Sequence, residues 1–149
     1  VEDAVNATQA AVEEGTVPGG GVALLKARKA LDSLKLQGDE AIGIRIVHQS
    51  LEVPFRTIAE NAGMEPGRYI KDVEEHLAQN HGLNVMTGDI SDLIEDGVID
   101  PAKVTRSAVE NAGSVTISII TTDALVADEP EESKGPEVPA APGGMPGMM

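Results

Sequence analysis

Apolar residues recur at helical spacing along most of the chain. In EDAVNATQAAVEE, residues 2–14, Val5, Thr8, Ala11 and Val12 fall on one face, and Gly15 follows as a C-cap. Thr16-Val17-Pro18-Gly19-Gly20-Gly21 is a stretch that no helix tolerates. A second helix is predicted from Val22 to Ser33, with Leu24, Leu25, Ala27 and Leu31 apolar, and Leu34–Gly38 reads as a loop. From Asp39 or Glu40, a stripe of Ile42, Ile46, Val47 and Leu51 predicts a long helix to about Asn61, kinked or interrupted at Pro54 and ended by Ala62-Gly63. Pro66 suits the first position of a helix over 66–79.

Beyond residue 80 the helical period fails. Leu83, Val85 and Met86 suggest a short strand edge, residues 89–95 a short helix ended by Gly97. Asp100 before Pro101 reads as an N-cap and N1 pair opening the last helix, which runs to about Ala127. Its second half, residues 115–122, is strongly β-branched, yet Val104, Ala108, Ala112, Val115 and Ile119 continue one helical face. Residues 128–149 hold five of the nine prolines and four of the sixteen glycines, with five acids against Lys134. Such a segment buries too little apolar surface to order itself, so a flexible acidic tail is expected.

Composition narrows the function classes. The 149 residues carry a formal charge of −14 and no cysteine, with Phe55 and Tyr69 as the only aromatic residues. So acidic a chain repels nucleic-acid phosphates and anionic membranes. Without cysteine there is no disulfide scaffold or thiol nucleophile. No apolar run approaches the ~20 residues of a membrane span, and the start shows no secretory signal, so a reducing, cytoplasmic setting is expected. The chain opens without Met, already inside a helical pattern, which suggests a piece of something longer.

Few residues announce chemistry. The run Gly19–Gly21 before a helix is either a plain turn or a place where a ring or phosphate approaches open backbone near a helix N-terminus. It is neither a Walker loop nor a GxGxxG fingerprint. Asp3 is either a solvated first-turn acid or a carboxylate that activates water. Asp100 is either the N-cap or an acceptor for ligand hydroxyls, and Asn84 either a turn residue or an amide that reads a base edge. His48, His76 and His81 lack metal-ligand spacing, so no metal site is expected. The basic residues Arg45, Arg56, Arg68, Lys71, Lys103 and Arg106 form no stripe.

Longer motifs carry a resemblance. Val1-Glu2-Asp3-Ala4, Ala10-Ala11-Val12-Glu13-Glu14-Gly15, Val17-Pro18-Gly19-Gly20-Gly21-Val22-Ala23-Leu24, Asp100-Pro101-Ala102-Lys103-Val104-Thr105-Arg106-Ser107-Ala108, Ile120-Thr121-Thr122 and the Gly/Met end, in this order and spacing, resemble the C-terminal part of a group I (GroEL-type) chaperonin. The resemblance implies a mainly α fold. Residues 1–14 would end the intermediate domain, 15–127 form the C-terminal half of the equatorial helical domain with a short strand element, and 128–149 project as the tail. It further implies an ATP-hydrolysing subunit of two stacked seven-membered rings that encloses unfolded proteins beneath a co-chaperonin lid. By the same resemblance Asp3 promotes attack of water on the γ-phosphate, while Gly20, Asn84, Val85, Met86 and Asp100 contact the nucleotide, Asp100 at the ribose. Arg56 and Glu65 would lie where the rings meet. The family's phosphate loop and Mg²⁺ ligand belong to an N-terminal half that this chain lacks, so it is expected to be inactive alone. Val85-Met86 depart from the family's usual alanine pair. The competing reading is a stand-alone acidic helical interaction module without nucleotide chemistry.

Overall fold

A computed structural model describes residues 1–127; the expected tail, 128–149, lies outside the described residues. The order is α1 (Glu2–Glu14), β1 (Thr16–Pro18), α2 (Val22–Asp32), α3 (Asp39–Ser50), α4 (Val53–Asn61), α5 (Pro66–Glu75), β2 (His81–Asn84), β3 (Asp89–Asp92), β4 (Ile99–Pro101) and α6 (Ala102–Ile120). The fold is mainly helical, as expected of a chaperonin equatorial fragment.

The helix ends follow local chemistry. Gly15 closes α1 at φ 80°, where glycine alone escapes the Cβ penalty. Pro54 does more than kink the long predicted helix. Leu51-Glu52 form a turn and α4 restarts at Val53, with Pro54 in its first turn, where no backbone N–H is needed. Pro66 opens α5, and the Glu65 carboxylate accepts from the Gly67 N–H.

Four expectations come out differently. Residues 89–95 do not form a helix: Asp89–Asp92 pair antiparallel with His81–Asn84, and the Asp92 side chain then accepts from the Ile94 and Glu95 N–H groups to turn the chain. A ladder and complete burial of Leu93 outweigh a weak local helix preference. Asp100 is not an N-cap. It lies in β4 opposite Val17, Pro101 takes the cap position, and no side chain caps α6. The helix over 66–79 stops at Glu75, because Lys26 Nζ takes the Ala78 and Gln79 carbonyls at 2.6 and 3.1 Å. The last helix, too, stops early, at Ile120 rather than 127; the Thr121 hydroxyl bonds back to the Ile117 carbonyl at 2.7 Å.

The core is small and sits between α2, α4, α5 and the β2–β3 hairpin. Val22, Leu25, Phe55, Ala59, Val73, Leu83 and Leu93 are buried in it. Phe55 is its largest member, which gives one of only two aromatics a central place. α1 packs away from this core against α6 and β4. α3 and α6 bury no residue. Ile42, Ile46 and Val47 on α3, and Val104, Val115, Ile117, Ile119 and Ile120 on α6, stand exposed.

Candidate functional site

The glycine run joins the two parts of the molecule. Its three members are held for different reasons. A Cβ on Gly21, at φ 74°, would meet the Phe55 backbone nitrogen at 2.6 Å, so this glycine lets α2 approach α4. A Cβ on Gly19 would press on the Val98 carbonyl at 3.2 Å, and the Gly19 N–H donates to that oxygen at 2.9 Å. Gly20 has φ 67° and nothing within 4 Å of a Cβ position. Its backbone faces open space immediately before α2, whose first N–H groups receive no side-chain cap.

The β1–β4 ladder carries this run alongside Asp100. Thr16, Val17 and Pro18 stand opposite Pro101, Asp100 and Ile99. Burial pushes the Asp100 carboxyl above the usual aspartate range, since partial desolvation disfavours the charged form. No side-chain hydrogen bond holds it among the described residues.

The β2–β3 hairpin approaches the same region through its base. Gly82 lies against Val22, the first residue of α2, and against Leu93, and the Val98 N–H donates to the Leu93 carbonyl at 2.8 Å. Asn84 is 8% exposed. Its Nδ2 donates to Asp96 Oδ2 at 2.9 Å and its Oδ1 accepts from the Met86 N–H at 3.1 Å. Bonds from Asn84 and Ser91 hold the Asp96 carboxyl below the usual range. The Asn84 amide is thus spent inside the hairpin, where it fixes the turn bearing Val85 and Met86. Val85 packs against the core edge and Met86 is 88% exposed.

The structure gathers Gly20, Asp100 and the hairpin around the start of α2 and leaves Asp3 apart. Asp3 is exposed in the first turn of α1, roughly 18 Å along the helix axis from Gly15. The other end of α1 is pinned. The Gly15 carbonyl accepts from the Ala102 N–H at 3.0 Å, Glu13 pairs with Lys103, and Glu14 takes a two-pronged contact from Arg106 at 2.6 and 3.1 Å. Those bonds hold both glutamates below the usual carboxylate range, with Lys103 and Arg106 raised in turn. These partners lie about 90 residues apart, and nothing in helical spacing announces them.

Residues 1–130 match the model of the TCP-1/cpn60 chaperonin family. The chain belongs to that family. It is also similar to a solved group III chaperonin in the open state, at 36% identity and a TM-score of 0.72, over 78% of this chain and 25% of that one. This chaperonin chain therefore spans about a quarter of the length of that relative. Among the described residues, no group of three His, Cys, Asp or Glu side chains is placed to hold a metal ion. No helix among them is long and apolar enough to cross a membrane.

Proposed function

We propose that this chain is the C-terminal part of a cytoplasmic, ATP-driven chaperonin subunit of the group I type. Residues 1–14 end its intermediate domain and 15–127 complete its equatorial domain. The subunit assembles into two stacked seven-membered rings that enclose unfolded proteins under a separate co-chaperonin lid. The observation that carries the nucleotide assignment is Gly20. Its neighbours Gly19 and Gly21 are committed to close packing, whereas Gly20 has empty space beside it, next to an uncapped helix start. A phosphate or sugar edge can approach such a backbone.

On this reading Asp100 receives the ribose hydroxyls. Its desolvation supports that role, because a carboxylate short of partners gains most from a hydroxyl donor. Asn84 positions Val85 and Met86 against the base. ATP supplies the phosphoanhydride bond and Mg²⁺ its charge neutralisation, with the metal ligand and phosphate loop contributed by the N-terminal half of the subunit. Asp3 activates water once α1 has moved down onto the nucleotide. The distance between Asp3 and the β1–β4 ladder fits a group that acts only after closure.

In the full-length subunit, Asp3→Ala should leave ATP affinity by calorimetry nearly unchanged. It should slow single-turnover hydrolysis by ~10²–10⁴-fold. Equal loss of affinity and rate, or loss of neither, would make Asp3 an ordinary helix acid. The similarity to a group III chaperonin favours that type as the second reading. ATP-dependent capture of a separate lid protein by the assembled rings supports group I, and its failure supports group III.

A further inference from the structure

The β2–β3 turn holds the apolar Met86 side chain out in solvent, yet the turn itself is closely tied. The Asn84 carbonyl accepts from the Gly88 N–H at 2.8 Å and from the Thr87 N–H at 3.2 Å, with Gly88 at φ 83°. The Asn84 side chain adds a further tie, its Oδ1 accepting from the Met86 N–H at 3.1 Å. An amide can turn either its oxygen or its NH₂ group toward a neighbour, so this tie depends on what orients the Asn84 side chain.

Asp96 orients it. Its Oδ2 accepts from Asn84 Nδ2 at 2.9 Å and from the Ser91 hydroxyl. The Ser91 and Asn84 bonds hold the Asp96 carboxyl below the usual range. It is therefore ionised at neutral pH and can only accept. The Asn84 NH₂ must face it, which leaves the amide oxygen for Met86. Asp96 stands on a firm base, although it is itself exposed. Its N–H donates to the Asp92 carbonyl at 3.0 Å, and Leu93 of the same turn is fully buried.

We propose that Asp96 is a positioning residue for the adenine base, holding Val85 and Met86 in place through the Asn84 amide, on the reading above that sets those two residues against the base. Without the carboxylate the amide is free to turn over. Its NH₂ would then meet the Met86 N–H, donor against donor. The turn would sample other arrangements, and affinity for the base would fall with the fraction still correctly placed. Gly20 and Asp100 lie on other segments, so contacts to the phosphates and ribose would be unaffected.

The test compares ATP with ribose triphosphate, which keeps the sugar and phosphates and lacks the base. Affinities are measured by calorimetry on the full-length subunit. Asp96→Ala should weaken ATP binding by about 3- to 10-fold and leave ribose triphosphate unchanged. In the 149-residue chain the same substitution should speed exchange of the Met86 amide proton. Equal losses for both ligands would make Asp96 a merely structural residue and overturn the proposal, as would unchanged exchange at Met86. Met86→Ala separates the positioning role from the nucleotide reading. Should it weaken ATP binding while Asp96→Ala does not, the base contact stands and the positioning role falls; should neither weaken it, both fall. Should Asp96→Ala fail to fold, Ser91→Ala, which removes one of the bonds that aim Asp96, should show a smaller loss confined to ATP.

Discussion

Arg106 Nη2 donates to Glu14 Oε1 at 2.6 Å, tying the last turn of α1 to the second turn of α6. With Glu13–Lys103 beside it and the Gly15 carbonyl bonded to the Ala102 N–H, this contact sets the angle at which α1 leaves the β1–β4 ladder. Arg106→Glu should loosen α1, seen as a fall in α1 amide protection. Restoring opposite charge with Glu14→Arg should recover part of it. The carboxylates titrate below their usual range, so the latch is intact above that range and lost as pH falls through the lowered values. Salt should weaken it at neutral pH, because all four partners are solvent-accessible.

Gly20 and Gly21 should respond to alanine to different degrees. At Gly20 the cost is the left-handed backbone, about 1–2 kcal/mol, so the fold survives while nucleotide affinity of the full-length subunit drops. At Gly21 the new Cβ would also strike the Phe55 backbone, so the thermal midpoint should fall further. Equal stability losses at the two positions, with unchanged affinity for Gly20→Ala, would remove the case for Gly20 as a contact.

Asn84→Ala should destabilise the hairpin by about 1–3 kcal/mol, because it removes the bond that Asp96 receives from the buried Asn84 amide and leaves the Met86 N–H without its acceptor. Thermal melts compared with Met86→Ala would test this. Met86 is exposed, and its truncation should leave stability unchanged while altering affinity for the nucleotide base.

Asp100→Asn should stabilise the fold near neutral pH while weakening ATP binding in the full-length subunit. Burial raises the Asp100 carboxyl, so the folded state holds its proton more tightly than the unfolded chain. The resulting contribution is present at low pH and lost as pH rises through the raised value. The difference in thermal midpoint between Asp100→Asn and the parent should therefore shrink on acidification. A difference independent of pH would show that the carboxyl is not desolvated.

The residues themselves determined what depends on neighbours in sequence. Helical spacing with Gly15, Pro54 and Pro66 at the ends was enough to place α1, α2, the α3–α4 pair and α5, because caps and proline sterics act within one turn. The motifs around Gly20 and Asp100 carry the chaperonin resemblance. Tertiary structure alone decided where distant segments meet. Residues 89–92 became a strand because residues 81–84 offered a ladder, and Asp100 left its expected cap position because Val17 lay opposite it. Lys103 and Arg106, scattered in sequence, became the anchors of α1, and Arg28, on a mixed face of α2, became a buried cation paired with Glu52 and Glu74. A side chain's local pattern records its propensity; its burial and charge partners depend on segments tens of residues away, brought close only by the fold.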